Sequence, residues 1–148
     1  MNIRNSIKAV IIKEDSVLLT KNRGASGDFY IFPGGGQDHG EVMHDTLRRE
    51  CMEELGAEIE VGELLYVREY IGKNHEFAET DAHAHQVEFY FHCTLKDDKL
   101  VTPTQPDPKQ IGVEWLRIDQ LQEYDVYPKR LTNYFIKKTS SIYLGDIN

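Results

Sequence analysis

The 148 residues carry 25 acidic and 17 basic side chains, a formal charge of −8, and 40% hydrophobic residues. This length supports one domain, 1–148, able to bury roughly 68–70% of its unfolded surface, which excludes a stapled miniprotein and a disordered tail. The longest apolar runs, Ala9 to Ile12 and Leu64 to Val67, fall far short of the ~20 residues of a membrane helix. The acidic balance also argues against a nonspecific grip on a nucleic-acid polymer, because clustered Lys and Arg supply that term. Met1 to Lys8 holds no apolar core of a secretory leader, so the cytoplasm is the expected location. Cys51 and Cys93 have neither a close partner nor metal-ligand spacing, and each is expected to be a small core residue.

In chain order, Ile7 to Ile12 and Val17 to Leu19 flank the polar break Lys13-Glu14-Asp15-Ser16 and predict a β-hairpin. Asn22 to Gly40 holds six of the eleven glycines, Pro33-Gly34-Gly35-Gly36 among them, and predicts a structured loop around a short strand at Phe29 to Phe32. Met43, Leu47, Cys51 and Leu55 recur four apart with Gly56 just beyond, predicting one amphipathic helix and its left-handed cap. Strands are expected at Leu64 to Ile71 and Val87 to Leu95, with a polar, mobile connection over Gly72 to His83. Three of the five prolines fall in residues 102–110, a predicted loop, before a last strand at Val113 to Ile118 and a helix over Arg130 to Lys138. Strands and helices intermix without a repeat, which reads as an α/β fold, a mixed sheet with helices on both faces.

The chemistry is concentrated between Gly35 and Ala57. Glu50, Glu53 and Glu54 stand at i, i+3 and i+4, within a ~100° sector of one helix face, where they repel one another and oppose the helix dipole. Oxygen-only clusters of this kind suit Mg²⁺ or Mn²⁺, whose remaining ligands are typically phosphate oxygens. For an isolated run of glutamates a solvated face is the better reading; the preceding residues overturn it. In order the segment is Gly35, five residues, Glu41, seven residues, Arg49-Glu50-Cys51, one residue, Glu53-Glu54, one residue, Gly56-Ala57. It resembles the signature of the Nudix (MutT-like) hydrolases at every charged and glycine position, a match that chance would give with probability on the order of 10⁻⁶. Cys51 and Ala57 depart from it, standing where the family usually has larger aliphatic residues. Phe32-Pro33-Gly34 before the motif and Glu114-Trp115-Leu116 near the last strand resemble the family as well.

The resemblance implies a Nudix α/β/α sandwich with a mixed β-sheet, the motif forming a loop-helix-loop. It implies that Glu50, Glu53 and Glu54 ligate the metal, that a carbonyl of Gly34 or Gly35 in the Gly34-Gly35-Gly36 loop adds a ligand, and that Arg49 with Glu41 orients the carboxylates. A guanidinium beside acidic side chains does hold one of them in a fork. The implied reaction is attack of a metal-activated water on a diphosphate phosphorus. The proton acceptor is either Glu53 or Glu54 or a carboxylate from a distant loop, with Glu76, Glu79, Asp81 and Glu88 as candidates, each more ordinarily a solvated residue. His83 and His85 are read as solvent or substrate contacts, and Phe29, Tyr30 or Phe32 as stacking on a base or packing in the core. Lys21 and Arg23 are read as surface cations.

The expected substrate is a small nucleotide, a nucleoside diphosphate linked to another moiety. The alternatives are a nucleotide-sanitising triphosphate pyrophosphohydrolase and a non-catalytic nucleotide sensor; a homodimer is left open. No substrate signature shows downstream. Where ADP-ribose enzymes of the family tend to carry proline, the chain reads Ile71-Gly72-Lys73-Asn74, and the tyrosine of the dinucleoside polyphosphate type is missing.

Overall fold

A computed structural model describes residues 2–97, 106–136 and 141–148. The hairpin forms as β1 (Arg4–Lys13) and β2 (Ser16–Gly24), but the two strands pair only at Ile12↔Val17 and Lys13↔Ser16. Beyond that corner they diverge. β1 runs parallel to β6 (His85–Leu95), which pairs with β5 (Ile59–Ile71), while β2 is flanked by β3 (Gly27–Ile31) and β7 (Gln110–Arg117). The result is one mixed sheet splayed into two halves that share β1 and β2. Two helices cover it: α1 (Met43–Leu55) and α3 (Lys129–Ile136), with the short α2 (Ala78–Asp81) at the side.

Strand alternation decides which helix each residue meets. Ile7, Ala9 and Ile11 of β1 face Leu47, Cys51 and Leu55 of α1, all at most 2% exposed, and each buried aliphatic contributes about 1.5–3 kcal/mol. Val10 points the other way, into a second core with Leu19, Phe32, Tyr90 and Leu131. The same face of β1 carries Arg4, Ser6 and Lys8, which run out from under α3 and line a cleft of about 720 Å³ between the halves of the sheet. Cys51 and Ala57, the two departures from the motif, are packed in the α1 core.

Four expectations change. The glycine loop contains a strand, β4 (Gly34–Gly36), paired to Lys8, Ile7 and Ser6. Two further strands, β8 (Val126–Tyr127) and β9 (Tyr143–Asp146), join β3 and β5 in parallel; both are too short to carry a periodicity, and their partners are distant in sequence. Gly72 to His83 is not a loose connection: Asp146 accepts hydrogen bonds from Ile71 N (2.9 Å) and Asn74 Nδ2 (2.9 Å) and pairs with His75 Nε2 (2.6 Å), while Asn148 Nδ2 donates to Glu76 (2.8 Å). The strand expected at Phe29 to Phe32 ends at Ile31. Residues 98–105 of the proline loop and Lys137 and Lys138 of the last helix lie outside the described residues.

Candidate active site

Gly34 is the point about which the site is built. Its φ is +140°, and a Cβ there would lie 1.9 Å from the Ile7 carbonyl oxygen, so only glycine lets β4 pass this close to β1. The approach aims the Gly34 N–H at Glu54 Oε1, 2.7 Å away. Glu54 is 2% exposed, and burial pushes its carboxyl up to about 7 although Lys8 and the Gly34 N–H pull it down. Glu50 lies against Gly35, where a Cβ would come within 2.5 Å of its carboxylate carbon. Burial raises its pKa as well, against Arg49 and reinforced by Glu53.

Arg49 is the organiser. Its Nε and Nη2 fork onto Glu41 at 3.0 and 2.9 Å, Nη2 also donates to the Gly36 carbonyl at 3.2 Å, and Nη1 donates to Glu50 at 2.9 Å. Glu41 in turn accepts from Thr46 Oγ1 at 2.7 Å and the Asp38 N–H at 3.1 Å, and these bonds, the Arg49 fork foremost, hold its carboxyl down at about 2. One guanidinium thus ties the loop, β4 and the helix together. Arg48, the neighbour, pairs with the exposed Asp45 at 3.0 Å. Glu53 is the freest of the three glutamates, 28% exposed and 3.8 Å from Arg49.

As placed, no three acidic, His or Cys side chains among the described residues close round a single point. The donor set nevertheless suits a hard cation. Glu54 is a buried and Glu50 a half-buried carboxylate, Glu50 adds to the cost of ionising Glu54, and among the described residues Glu54 Oε1 accepts from the Gly34 N–H alone. A cation offsets that cost where protein donors do not.

The cleft brings further groups. Asp107, in the proline loop before β7, is exposed, lines the cleft and raises the pKa of both Glu50 and Glu54; sequence reasoning missed it, and its one signal was an acid between two prolines. Of the distant carboxylates expected, Asp81 and Glu88 line the cleft, the first accepting from Tyr70 (2.8 Å) and the second from Arg68 Nε (2.8 Å). Glu76 and Glu79 are exposed outside it. Burial opposes the charge of Glu88, but Arg68 and Lys8 outweigh it and hold the carboxyl below its usual range. His85 pairs with Glu69 at 2.9 Å and His83 is exposed. Phe29 faces the cleft beside Tyr127 and Phe77, rings 6.3 and 5.3 Å from Tyr127, whereas Tyr30 and Phe32 are core residues. Lys21 pairs with Glu114 and Asp28.

The NUDIX domain model matches residues 3–135. The chain belongs to the Nudix family. It is 32% identical over 102 residues to the low-salt glycan biosynthesis protein Agl8 of Haloferax volcanii, covering 68% of this chain and 64% of that relative's length. Its fold is similar to a Nudix hydrolase of Nitrosomonas europaea (TM-score 0.72, 21% identity, covering 100% of this chain and 80% of that one). It is also similar to a UDP-X diphosphatase (TM-score 0.72, 20% identity, covering 99% and 68%).

Proposed function

We propose that the protein is a divalent-metal-dependent pyrophosphohydrolase acting on a nucleoside diphosphate linked to another moiety. The observation that carries this reading is Glu54: a carboxylate buried next to Glu50 and against the N–H of Gly34, a residue that lines the cleft with Arg4 and Lys8, is costly without a cation and a phosphate nearby. Glu50, Glu53 and Glu54, with a main-chain carbonyl at Gly34 or Gly35, would hold Mg²⁺ or Mn²⁺. Bound there, the cation neutralises charge on the anhydride and leaving oxygens. The chain's own residues do the rest. Arg49 and Glu41 fix the carboxylates, Arg4 and Lys8 line the cleft as cations for the diphosphate, and Asp107 is the group outside the motif placed to take a proton from the attacking water. Phe29, Phe77 and Tyr127 give the cleft an aromatic wall for the base.

A nucleotide sugar is favoured over a triphosphate. The Haloferax relative is described by its part in glycan biosynthesis and one structural neighbour is a UDP-X diphosphatase, and the cleft continues past the glycine strand into a polar recess at Arg68 and Glu88. The test is product analysis by ³¹P NMR over nucleoside diphosphate sugars, ADP-ribose, dinucleoside polyphosphates and oxidised dNTPs, with Mg²⁺ or Mn²⁺ and with chelator. A nucleotide sugar should give nucleoside monophosphate and sugar phosphate only with the cation. Turnover of triphosphates alone would establish the sanitising alternative, and no turnover of any compound the non-catalytic one. Asp107→Asn should lower kcat and spare KM.

A further inference from the structure

Arg68 and Glu88 face each other across β5 and β6, 2.8 Å apart and each 6% exposed, on the floor of the cleft. Buried ion pairs contribute little net stability, so their position asks for another account. Part of it is structural: Arg68 Nη1 also donates to the Ile147 carbonyl at 2.6 Å and to Asn148 Oδ1 at 3.1 Å, tying down the C-terminal residues. The hydrogen bonds of Glu88 are one-sided. Oε1 takes both the Arg68 Nε–H and the Tyr90 hydroxyl, at 2.8 and 2.5 Å, and Oε2 accepts none among the described residues, although it is not sealed from solvent. A carboxylate oxygen that is ionised, held rigid by two donors to its twin and open to the cleft is an acceptor waiting for a donor.

Register gives its distance from the chemistry. Gly36, Ser6, Glu88 and Arg68 form one row across β4, β1, β6 and β5. At about 4.8 Å per strand, Glu88 lies about 10 Å from the glycine strand, the reach of a phosphate and one sugar ring.

We propose that Glu88 Oε2, fixed by Arg68 and Tyr90, accepts hydrogen bonds from the hydroxyls of a sugar ring attached to the diphosphate, and so selects hydroxylated substrates. The inference deepens the nucleotide-sugar reading and rests on it. The ring is either the terminal sugar or the ribose of the nucleoside, and deoxy analogues of each tell them apart.

Glu88→Gln is the informative variant, because its Oε1 still accepts from Arg68 and Tyr90 while an NH₂ replaces Oε2, turning an acceptor into a donor. Calorimetric titrations in chelator use UDP-glucose, its monodeoxyglucose analogues, its 2′-deoxyuridine analogue, and UDP. The wild type should bind UDP-glucose about 10-fold more tightly than at least one deoxy analogue, the worth of a hydrogen bond to a charged group, and the variant should bring that ratio near one. An unchanged ratio in a folded variant, or no discrimination by the wild type, overturns the proposal and leaves Arg68 and Glu88 as a structural clamp. On the wild type alone, the Glu88 carboxyl carbon resonance should move with UDP-glucose, and with UDP as well only where the ring is the ribose, which holds even if the variant does not fold; no movement with UDP-glucose overturns the proposal. Because binding is measured without metal, discrimination without turnover would sustain the subsite and sink the catalytic reading. Turnover without discrimination would do the reverse.

Discussion

The two ends of the cleft are built in opposite ways. At one end, Gly34 to Gly56 supplies the glycine strand, the Arg49 fork and the three glutamates from a single run of chain, and its geometry is set by local bonds such as Arg49 to Glu41 at 2.9 Å. At the other, Phe29, Tyr127, Arg68 and Glu88 come from four strands and Phe77 from the turn before α2, and they meet only in the folded sheet. On the proposed reading, the difference teaches that the groups that would hold the cation come from a contiguous segment, whereas those that would meet the rest of the substrate are gathered by tertiary structure. Mutations at the first end should therefore change kcat, and at the second KM.

The largest effect is expected at the first end. Glu53→Gln or Glu54→Gln should lower kcat at least ~10²-fold with far-UV circular dichroism unchanged, and retained activity in both variants would remove the motif from the mechanism. Next, Mg²⁺ at a hundredfold excess over Kd should stabilise the wild type by about 2.7 kcal/mol in thermal unfolding. The variant with Gln at positions 50, 53 and 54 should not respond, at ionic strength matched with a monovalent salt; an equal shift in both would place the cation elsewhere. Arg49→Ala should cost about 10–10²-fold in kcat/KM, since it frees Glu41, Glu50 and the Gly36 carbonyl together, while Arg48→Ala does almost nothing. Equal losses would mean that the site uses positive charge and not a fork.

At the second end Phe77→Ala, at a ring 40% exposed on the aromatic wall, should raise KM about 10-fold and leave kcat in place. A kcat loss of the same size would erase the distinction between the ends. The smallest effect concerns the wall's anchorage. Asn74, His75 and the Ile71 N–H outweigh burial and hold Asp146 below its ordinary pKa. A carboxyl depressed in the folded state stabilises above its unfolded pKa of about 3.9, and that contribution is lost as pH falls through the lower folded value. Asp146→Asn should accordingly lower the melting temperature by about 2–4 °C at pH 7, and the difference should close below about pH 4. A difference constant with pH would mean that the anchorage is not ionic.

The sequence by itself determined what depends on neighbours in the chain. The helix over Met43 to Leu55 and its Gly56 cap at φ +62° follow from 3.6-residue periodicity and a local cap, and the pairing of Arg49 with Glu41 from the family resemblance. So do the strands with strong alternation, and family membership. What only the tertiary structure decided depends on pairs far apart. β9 is four residues long and exists because β5 offers an edge. Asp107 sits in a proline loop with no periodicity, and nothing near it in the sequence announces Glu50. Arg68 and Glu88 are unremarkable charges on two strands until register sets them opposite one another. Their side chains became a recess because β1 parts from β2 after a single corner, leaving the polar half of its face uncovered by α3. Chain-local chemistry can be read from spacing; a cleft is the absence of packing, and that is fixed only when every element has found its place.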